Sequence, residues 1–343
     1  MELPYELVDE ILYRVDVKHL LRCRCVSKRW CSVIDSNEFV KNHLKASIER
    51  NGGGILIRSK DKSLLADIES FDNGTAAIDI SGELKRILNT GAVLVGSANG
   101  LFCVRLIRQN VLFLLNPCTR KFKKLPIVPT EDWFNCYGFG YDRVNDDYKV
   151  VIMEQRYRPT PGIMPIVYSL KGNTWAPITN AFTTENISFF GTIGMFVDGA
   201  LHWKATNITS MSSMVVGFDL GLEQFREAKY CNGNMVLMNI SMENSLVQEI
   251  SANPVFTSFR SPRLLMYSKS LKKILFEVDG QKFVWYHLKS KAFKNVSTIP
   301  AMPAWFNSYM YIESLFPLVE DKQPSHEAKE KEQHQKKKIS PVL

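Results

Sequence analysis

The chain has 343 residues, 45% hydrophobic and 23% charged, with 43 basic against 35 acidic side chains and a formal net charge of +8. Its length exceeds one ordinary domain of roughly 100–200 residues, and no window approaches the roughly 20 uninterrupted apolar residues of a membrane-crossing helix, so no membrane partner is expected. The mild basic excess suits an acidic protein partner as well as nucleic acid, but zinc-finger spacing and a basic, aromatic-interleaved RNA-binding signature are both missing, and no nucleic-acid partner is expected.

The opening Met1-Glu2-Leu3-Pro4-Tyr5-Glu6 carries acid and proline where a secretory signal has a basic start and an apolar run. A cytoplasmic or nuclear location is therefore expected, with the 7 cysteines as thiols and the Asn-x-Ser/Thr sequons unmodified. From Leu3 to Val15, the apolar Leu7, Ile11, Leu12 and Val15 recur at helical spacing as one stripe, with Pro4 in the first turn and Glu6, Asp9 and Glu10 early, where the helix dipole favours them. A second helix holds Leu20, Leu21, Cys23 and Cys25, and a third follows Ser27, an N-cap residue, and carries Trp30, Val33 and Ile34.

Three short helices over residues 1–45 make a unit of marginal size, since domains below roughly 40–60 residues need help. Their apolar side is expected to clasp another polypeptide: about eight side chains at roughly 1.5–3 kcal/mol each outweigh an association cost of roughly 4–15 kcal/mol. The bland alternative is a helical cap on the chain's own β domain.

The order Leu3-Pro4, Glu10-Ile11-Leu12, Val17-Lys18-His19-Leu20-Leu21-Arg22, Cys25-Val26-Ser27-Lys28-Arg29-Trp30 and Phe39-Val40-Lys41-Asn42-His43-Leu44 is similar to the plant F-box. That resemblance implies that Leu3, Pro4, Leu7, Ile11, Leu12, Leu20, Leu21, Val26 and Trp30 form the surface, or its supporting core, that docks a Skp-family linker and through it a cullin. One departure is Val15-Asp16, where the family has Leu-Pro; it removes a rigid proline and offers Asp16 as a cap for the second helix.

Beyond Ile48 the pattern changes to short β-rich runs broken by Asn51-Gly52, Asn73-Gly74, Asn99-Gly100, Asp198-Gly199, Asn232-Gly233 and Asp279-Gly280, each read as a hairpin turn. Four segments repeat the order strand, polar turn, aromatic, strand: LLNPCTRKFKKLP, VYSLKGNTWAPI, VGFDLGLEQFREA and WYHLKSKAFKNV. Their aromatics are Phe122, Trp175, Phe225 and Phe293, the first three about 50 residues apart, which is the kelch propeller period. Repetition at an equivalent place makes each a blade-core residue, while function in such folds lies in loops that nothing local marks.

VGSANGLFCV, YGFGYDRVNDDYKVV, VDGALHWKA and ILFEVDGQKFVWYHL, in that order with the repeats, resemble the plant F-box-associated domain, so family similarity spans residues 1–318. The group resembled includes constitutive-defence repressors and S-locus F-box proteins. The implied fold is an α+β multidomain chain: a three-helix F-box over 1–45, a kelch-like all-β propeller over 46–319, and a charged tail over 320–343 whose composition predicts disorder, with Lys336-Lys337-Lys338 as a solvated run. A second departure is the Trp-less stretch between Phe225 and Leu264, which predicts one shortened or degenerate blade.

Catalytic chemistry finds no support. Cys23, Cys25 and Cys31 lack a matching His or Cys pair for zinc and read as small buried residues. Gly52-Gly53-Gly54 lacks the Lys-Ser/Thr of a phosphate loop, and His202 beside Trp203 reads as structural. No catalytic residue, metal or cofactor is expected. The function implied is that of a non-catalytic substrate-recognition adaptor of a Skp–cullin–F-box ubiquitin ligase, holding a protein target for ubiquitination and proteasomal degradation. The rivals are a cullin-independent propeller scaffold and a propeller enzyme.

Overall fold

The structure, a computed structural model, describes residues 5–50, 52–68, 70–75, 77–80, 91–129, 136–156, 162–178, 187–189, 193–230, 244–260, 262–268, 270–296 and 299–318. Leu3, Pro4, Asn51, Asn232, Gly233 and the expected tail 320–343 lie outside the described residues.

Four helices open the described chain where three were expected: α1 Tyr5–Arg14, α2 Val17–Cys23, α3 Lys28–Ile34 and α4 Asn37–Glu49. The last three share one starting device, an Asp or Ser whose side chain accepts the amide three residues on. Asp16 accepts from His19 N at 2.9 Å, Ser27 from Trp30 N at 3.1 Å and Ser36 from Phe39 N at 3.2 Å. Ser36 turns the expected exit segment into a helix of its own, which carries the helical unit past residue 45 to Glu49.

The next 20 strands form blades in strict sequence order. Blade one takes β1 Gly53–Arg58, β2 Ser63–Asp67 and, after the one-turn helix α5 Ser70–Asn73, β3 Ile78–Asp79. Blade two is β4 Ala92–Ala98, β5 Leu101–Leu106, β6 Val111–Asn116 and β7 Lys121–Lys124. Blade three is β8 Cys136–Asp142, β9 Asp147–Arg156, β10 Gly162–Ser169 and β11 Thr174–Pro177. Blade four is β12 Ile187–Phe189 and β13 Met195–Val197, both paired to β14 Ala200–Asn207, then β15 Ser212–Asp219 and β16 Gln224–Tyr230. Helices α6 Asn244–Ser251 and α7 Pro254–Thr257 precede blade five, which is β17 Pro262–Tyr267, β18 Lys273–Val278, β19 Lys282–His287 and β20 Ala292–Asn295.

The ring closes through β21 Asn307–Ile312, which pairs antiparallel with β1 and becomes the first strand of blade one. First strands meet around the axis: β21 lies against β4 and β17, and β4 against β8. The architecture is a helical unit on a five-bladed β-propeller arrangement.

The repeat seen in sequence is a repeat of register. Phe122 stands opposite Leu115, Trp175 opposite Tyr168, Phe225 opposite Phe218 and Phe293 opposite Tyr286, each on the last strand of a blade. Between the two partners runs a loop whose last residue is left-handed in all four blades and whose first residue caps it with its side chain in blades two, three and four. Asn116 Oδ1 accepts from Cys118 N and Thr119 N, with Arg120 at φ 60°; Asp219 Oδ1 accepts from Gly221 N and Leu222 N, with Glu223 at φ 53°. Asp142 and Asn207 start the same loop elsewhere in blades three and four.

Asn99-Gly100, at φ 43° and 85°, and Asp198-Gly199, at φ 46° and 74°, are two-residue hairpins as expected, and Asp279-Gly280 turns β18 into β19. Two expected hairpins are instead helix ends: Gly74 N donates to Ser70 O at the end of α5, and Gly52 N to Ser47 O at the end of α4.

An irregular strand occurs in blade four, but upstream of the Trp-less stretch where the shortened blade was expected. The first strand of blade four is broken, with Ile193 bridging to Tyr137 between β12 and β13, and Gly194 packed on the Trp203 indole, where a Cβ would fall 2.4 Å from Cε2. Within the Trp-less stretch residues 226–230 complete β16, α6 and α7 follow, and 262–263 open β17, while 231–243 lie outside the described residues. Ile250 of α6 and Phe256 of α7 pack into the core of blade five with Ile274, Phe276 and Tyr286, and that blade keeps four strands.

Candidate functional site

The helical unit has a core of its own, made of Leu12, Val17, Leu20, Ile34, Phe39 and Val40 and completed by Leu315, which arrives from beyond the propeller's closing strand. The expectation that these helices need another polypeptide to bury their apolar side is thus corrected: most of that side is satisfied within the chain. The stripe read on α1 is corrected as well. Leu12 and Val15 turn inward, whereas Leu7 and Ile11 are 47% and 53% exposed. Consecutive residues lie about 100° apart on a helix, so Ile11 and Leu12 cannot share a narrow face.

The expected linker-docking set therefore divides. Leu12 and Leu20 are buried, Leu21 and Trp30 are half-buried against the core, and Leu7, Ile11 and Val26 stand exposed, Val26 at 67%. Three large apolar side chains held outward on a capped, well-packed unit form one candidate surface.

Other residues of the unit fix it to the propeller. Residues 313–318 run along the seam as a strap: the Glu313 carboxylate accepts from Val17 N at 3.3 Å, and the Asn116 side-chain amide donates to the carbonyls of Ser314 and Phe316 at 3.0 and 3.1 Å. Lys41 on α4 pairs with Asp146 at 2.5 Å, and Tyr141 also donates to that carboxylate. The Lys41 ammonium and the Tyr141 hydroxyl hold the Asp146 carboxyl below its usual range. Burial does the reverse to Glu313, raising its carboxyl above the ordinary value against the pull of the Val17 amide.

His43 is buried and donates Nε2–H to the Val15 carbonyl at 2.9 Å; burial lowers its pKa, so it stays neutral as part of the helical core. Of the three clustered cysteines, Cys25 is exposed and Cys23 and Cys31 are half-buried, which corrects the expectation that they are buried. Among the described residues no group of three or more His, Cys, Asp or Glu side chains is placed to hold a metal ion. His202 is a half-buried residue of β14, opposite Gly217.

A second candidate surface lies at the other end of the blades. In four-stranded antiparallel blades the first-to-second and third-to-fourth turns share one end, and the helical unit touches that end through Cys118, Asp146 and the residues after β21. The β1–β2 and β18–β19 turns and the starts of β4, β17 and β21 fall at the opposite end, around a recess of about 1310 Å³. Its basic lining is Arg58, Lys60, Arg260 and Arg263, against Glu277 and Asp279, and Trp305 stands at its edge, 66% exposed.

Arg58 ends the otherwise buried β1 and donates to Ala92 O at 2.6 Å, spanning blades one and two. Arg263 pairs with Glu277 at 2.5 Å and reaches the Ser308 carbonyl. The Glu277 carboxylate also accepts from Ser308 N at 3.0 Å. Sequence reasoning named none of these residues. The one local signal is a basic residue closing the apolar run Ile55-Leu56-Ile57, since the others come from distant parts of the chain.

Residues 1–42 match the F-box domain, and residues 68–248, over half the chain, match the F-box associated beta propeller domain. The chain belongs to the F-box protein family. Its relatives in Arabidopsis thaliana include F-box protein CPR1, 26% identical with 91% of this chain and 88% of that one covered. F-box protein At4g22390 is 30% identical with 85% of each covered, and F-box/kelch-repeat protein At3g23880 is 28% identical with 66% and 64% covered. F-box proteins are in general non-catalytic substrate adaptors of Skp–cullin–F-box ligases, and F-box domains bind the Skp-family linker. On this F-box protein the exposed Leu7, Ile11 and Val26 belong to the F-box, and the basic recess belongs to the propeller end away from it.

Proposed function

We propose that this F-box protein is the substrate-recognition subunit of a Skp–cullin–F-box ubiquitin ligase in the cytoplasm or nucleus, itself performing no chemistry. Leu7, Ile11 and Val26, with Leu3 and Pro4, meet the linker; Leu21 and Trp30 support that surface, and Leu12 and Leu20 hold it from beneath. The propeller holds the target at the end away from the F-box, so that bound linker and bound target do not compete for space. Catalysis then consists of proximity, the ligase raising the local concentration of target lysines near the loaded conjugating enzyme.

The observation that carries the reading is the outward placement of Leu7 and Ile11 on a helix whose other face is already packed. Burying the exposed halves of Leu7 and Ile11 and two-thirds of Val26 contributes about 3–5 kcal/mol, so the rest of the affinity has to come from neighbouring residues. Co-expression of the full chain with a Skp-family linker is expected to give a stable complex that joins a cullin. A full-length, folded protein that forms no such complex would overturn the proposal.

The strap and the Lys41–Asp146 pair favour a second reading, a cullin-independent scaffold on which the helices merely cap the propeller. The two differ in what the exposed face does. A cap has no use for Leu7 and Ile11 in water, whereas an adaptor depends on them.

A further inference from the structure

The recess at the propeller's far end has a charge and a shape that narrow what it holds. Its volume of about 1310 Å³ exceeds the roughly 300–1,000 Å³ of small-molecule sites and suits a length of peptide. Four basic side chains line it against two acidic ones, and the Glu277 carboxylate is turned onto Arg263 and the Ser308 amide. The basic groups are not all floppy: Arg58 is anchored on the Ala92 carbonyl and Arg263 on Glu277 and Ser308, which lowers the ordering cost of binding. Beside them Trp305 leaves two-thirds of its surface in water. Arginine and tryptophan are the side chains that most often dominate protein interfaces, and a fixed guanidinium favours a planar or tetrahedral anion.

We infer that the recess binds an acidic segment of a protein target, an anionic side chain meeting Arg58, Lys60 and Arg260 while an apolar neighbour lies on Trp305. The inference rests on the reading of the propeller as the target-holding half. The anion is a carboxylate or a phosphoryl group, which present the same charge-assisted acceptors to these donors.

The test uses the full chain in complex with its linker and three fluorescein-labelled peptides, a phenylalanine flanked by glutamates, its glutamine counterpart and its phosphoserine counterpart. Because a chain of net charge +8 attracts anions anywhere, the site variant Lys60→Glu/Arg260→Glu is compared with Lys289→Glu/Lys294→Glu, an equal charge change at exposed positions outside the recess. The wild-type complex is expected to bind at least one anionic peptide at least tenfold more tightly than the glutamine peptide. The recess variant loses at least tenfold of that affinity, and the control variant no more than twofold to threefold. Trp305→Ala is expected to weaken all three peptides alike. The tighter of the two anionic peptides identifies the anion.

Equal affinity for neutral and anionic peptides overturns the inference, as does an equal loss in the two charge variants or an absence of binding to the wild type. Linker retained in the same preparations separates that failure from a failure of the adaptor reading, which would show as loss of the complex itself.

Discussion

The F-box residues divide by exposure, and the division predicts that two sets of substitutions fail in different ways. Leu20 is fully buried among Val17, Ile34 and Phe39, so Leu20→Ala removes three carbons from a closed core and costs about 2–5 kcal/mol. Since 1.4 kcal/mol is a factor of ten, amides of α2 and α3 are expected to exchange about 30-fold faster or more in deuterium-exchange measurements. Leu7→Lys with Ile11→Lys leaves the core untouched: lysine is a good helix former, and its stem covers the surface that the apolar side chains half cover now. The helix should exchange within a few-fold of wild type. Linker affinity should nevertheless drop, because the halves of Leu7 and Ile11 that docking would bury are worth about 1.5–3 kcal/mol together, and two ammonium groups would be desolvated besides. At least a tenfold weaker complex is expected by calorimetry with purified linker. An unchanged affinity in the lysine pair would refute the assignment of this face, and wild-type exchange with lost binding in Leu20→Ala would show that Leu20 touches the linker directly.

Three further outcomes follow from the propeller and its seam. Lys149, nearly buried between Asp142 at 2.8 Å and Glu223 at 2.7 Å, ties blade three to blade four; burial opposes ionisation of Asp142, but the Lys149 and Asn145 hydrogen bonds outweigh it and hold that carboxyl below its usual range. Lys149→Ala strands the Asp142 charge and is expected to destabilise by about 3–5 kcal/mol in urea titration, more than any exposed pair such as Lys41–Asp146, worth about 1 kcal/mol or less. Glu313, its pKa raised by burial, holds its proton in the fold above the pH at which the unfolded chain releases it, so ionisation costs stability as pH rises from the ordinary glutamate value through the raised one. Glu313→Gln is expected to match wild type in Tm near pH 4 and exceed it at neutral pH, and equal curves would show the carboxylate to be well solvated. Gly100 sits at φ 85° with a would-be Cβ 2.2 Å from Ser314 Cβ, so Gly100→Ala is expected to push out the strap at a cost of about 2–5 kcal/mol and to speed exchange in α2; unchanged exchange there would mean that the strap does not hold the F-box.

What the sequence disclosed and what it hid follow from the range of the interactions concerned. The helix caps at Asp16 and Ser27 are legible because a side chain and an amide three residues away settle them; the loops capped by Asn116 and Asp219 are just as local but read in the sequence only as polar turns. The blade aromatics are legible because one local register recurs in four blades. Asn73-Gly74 misled because a helix end and a tight hairpin demand the same left-handed glycine, here at φ 64°, and only the partner strand, a non-local matter, tells them apart. The apolar stripe of α1 misled for a related reason: periodicity counts apolar residues without saying how many neighbours exist to cover them. Leu315 joins the core that holds Leu12 only because β21 has already closed the ring and delivered residues 313–318 to the seam. The placement of the F-box therefore depends on propeller closure, and no reading of the first 45 residues alone contains it. The recess lies at the same level of organisation, its Arg58, Arg263 and Trp305 brought together by β1, β17 and the approach to β21. Both candidate surfaces are thus set by one long-range event, the pairing of β21 with β1, which fixes the strap at one end of that strand and the recess wall at the other.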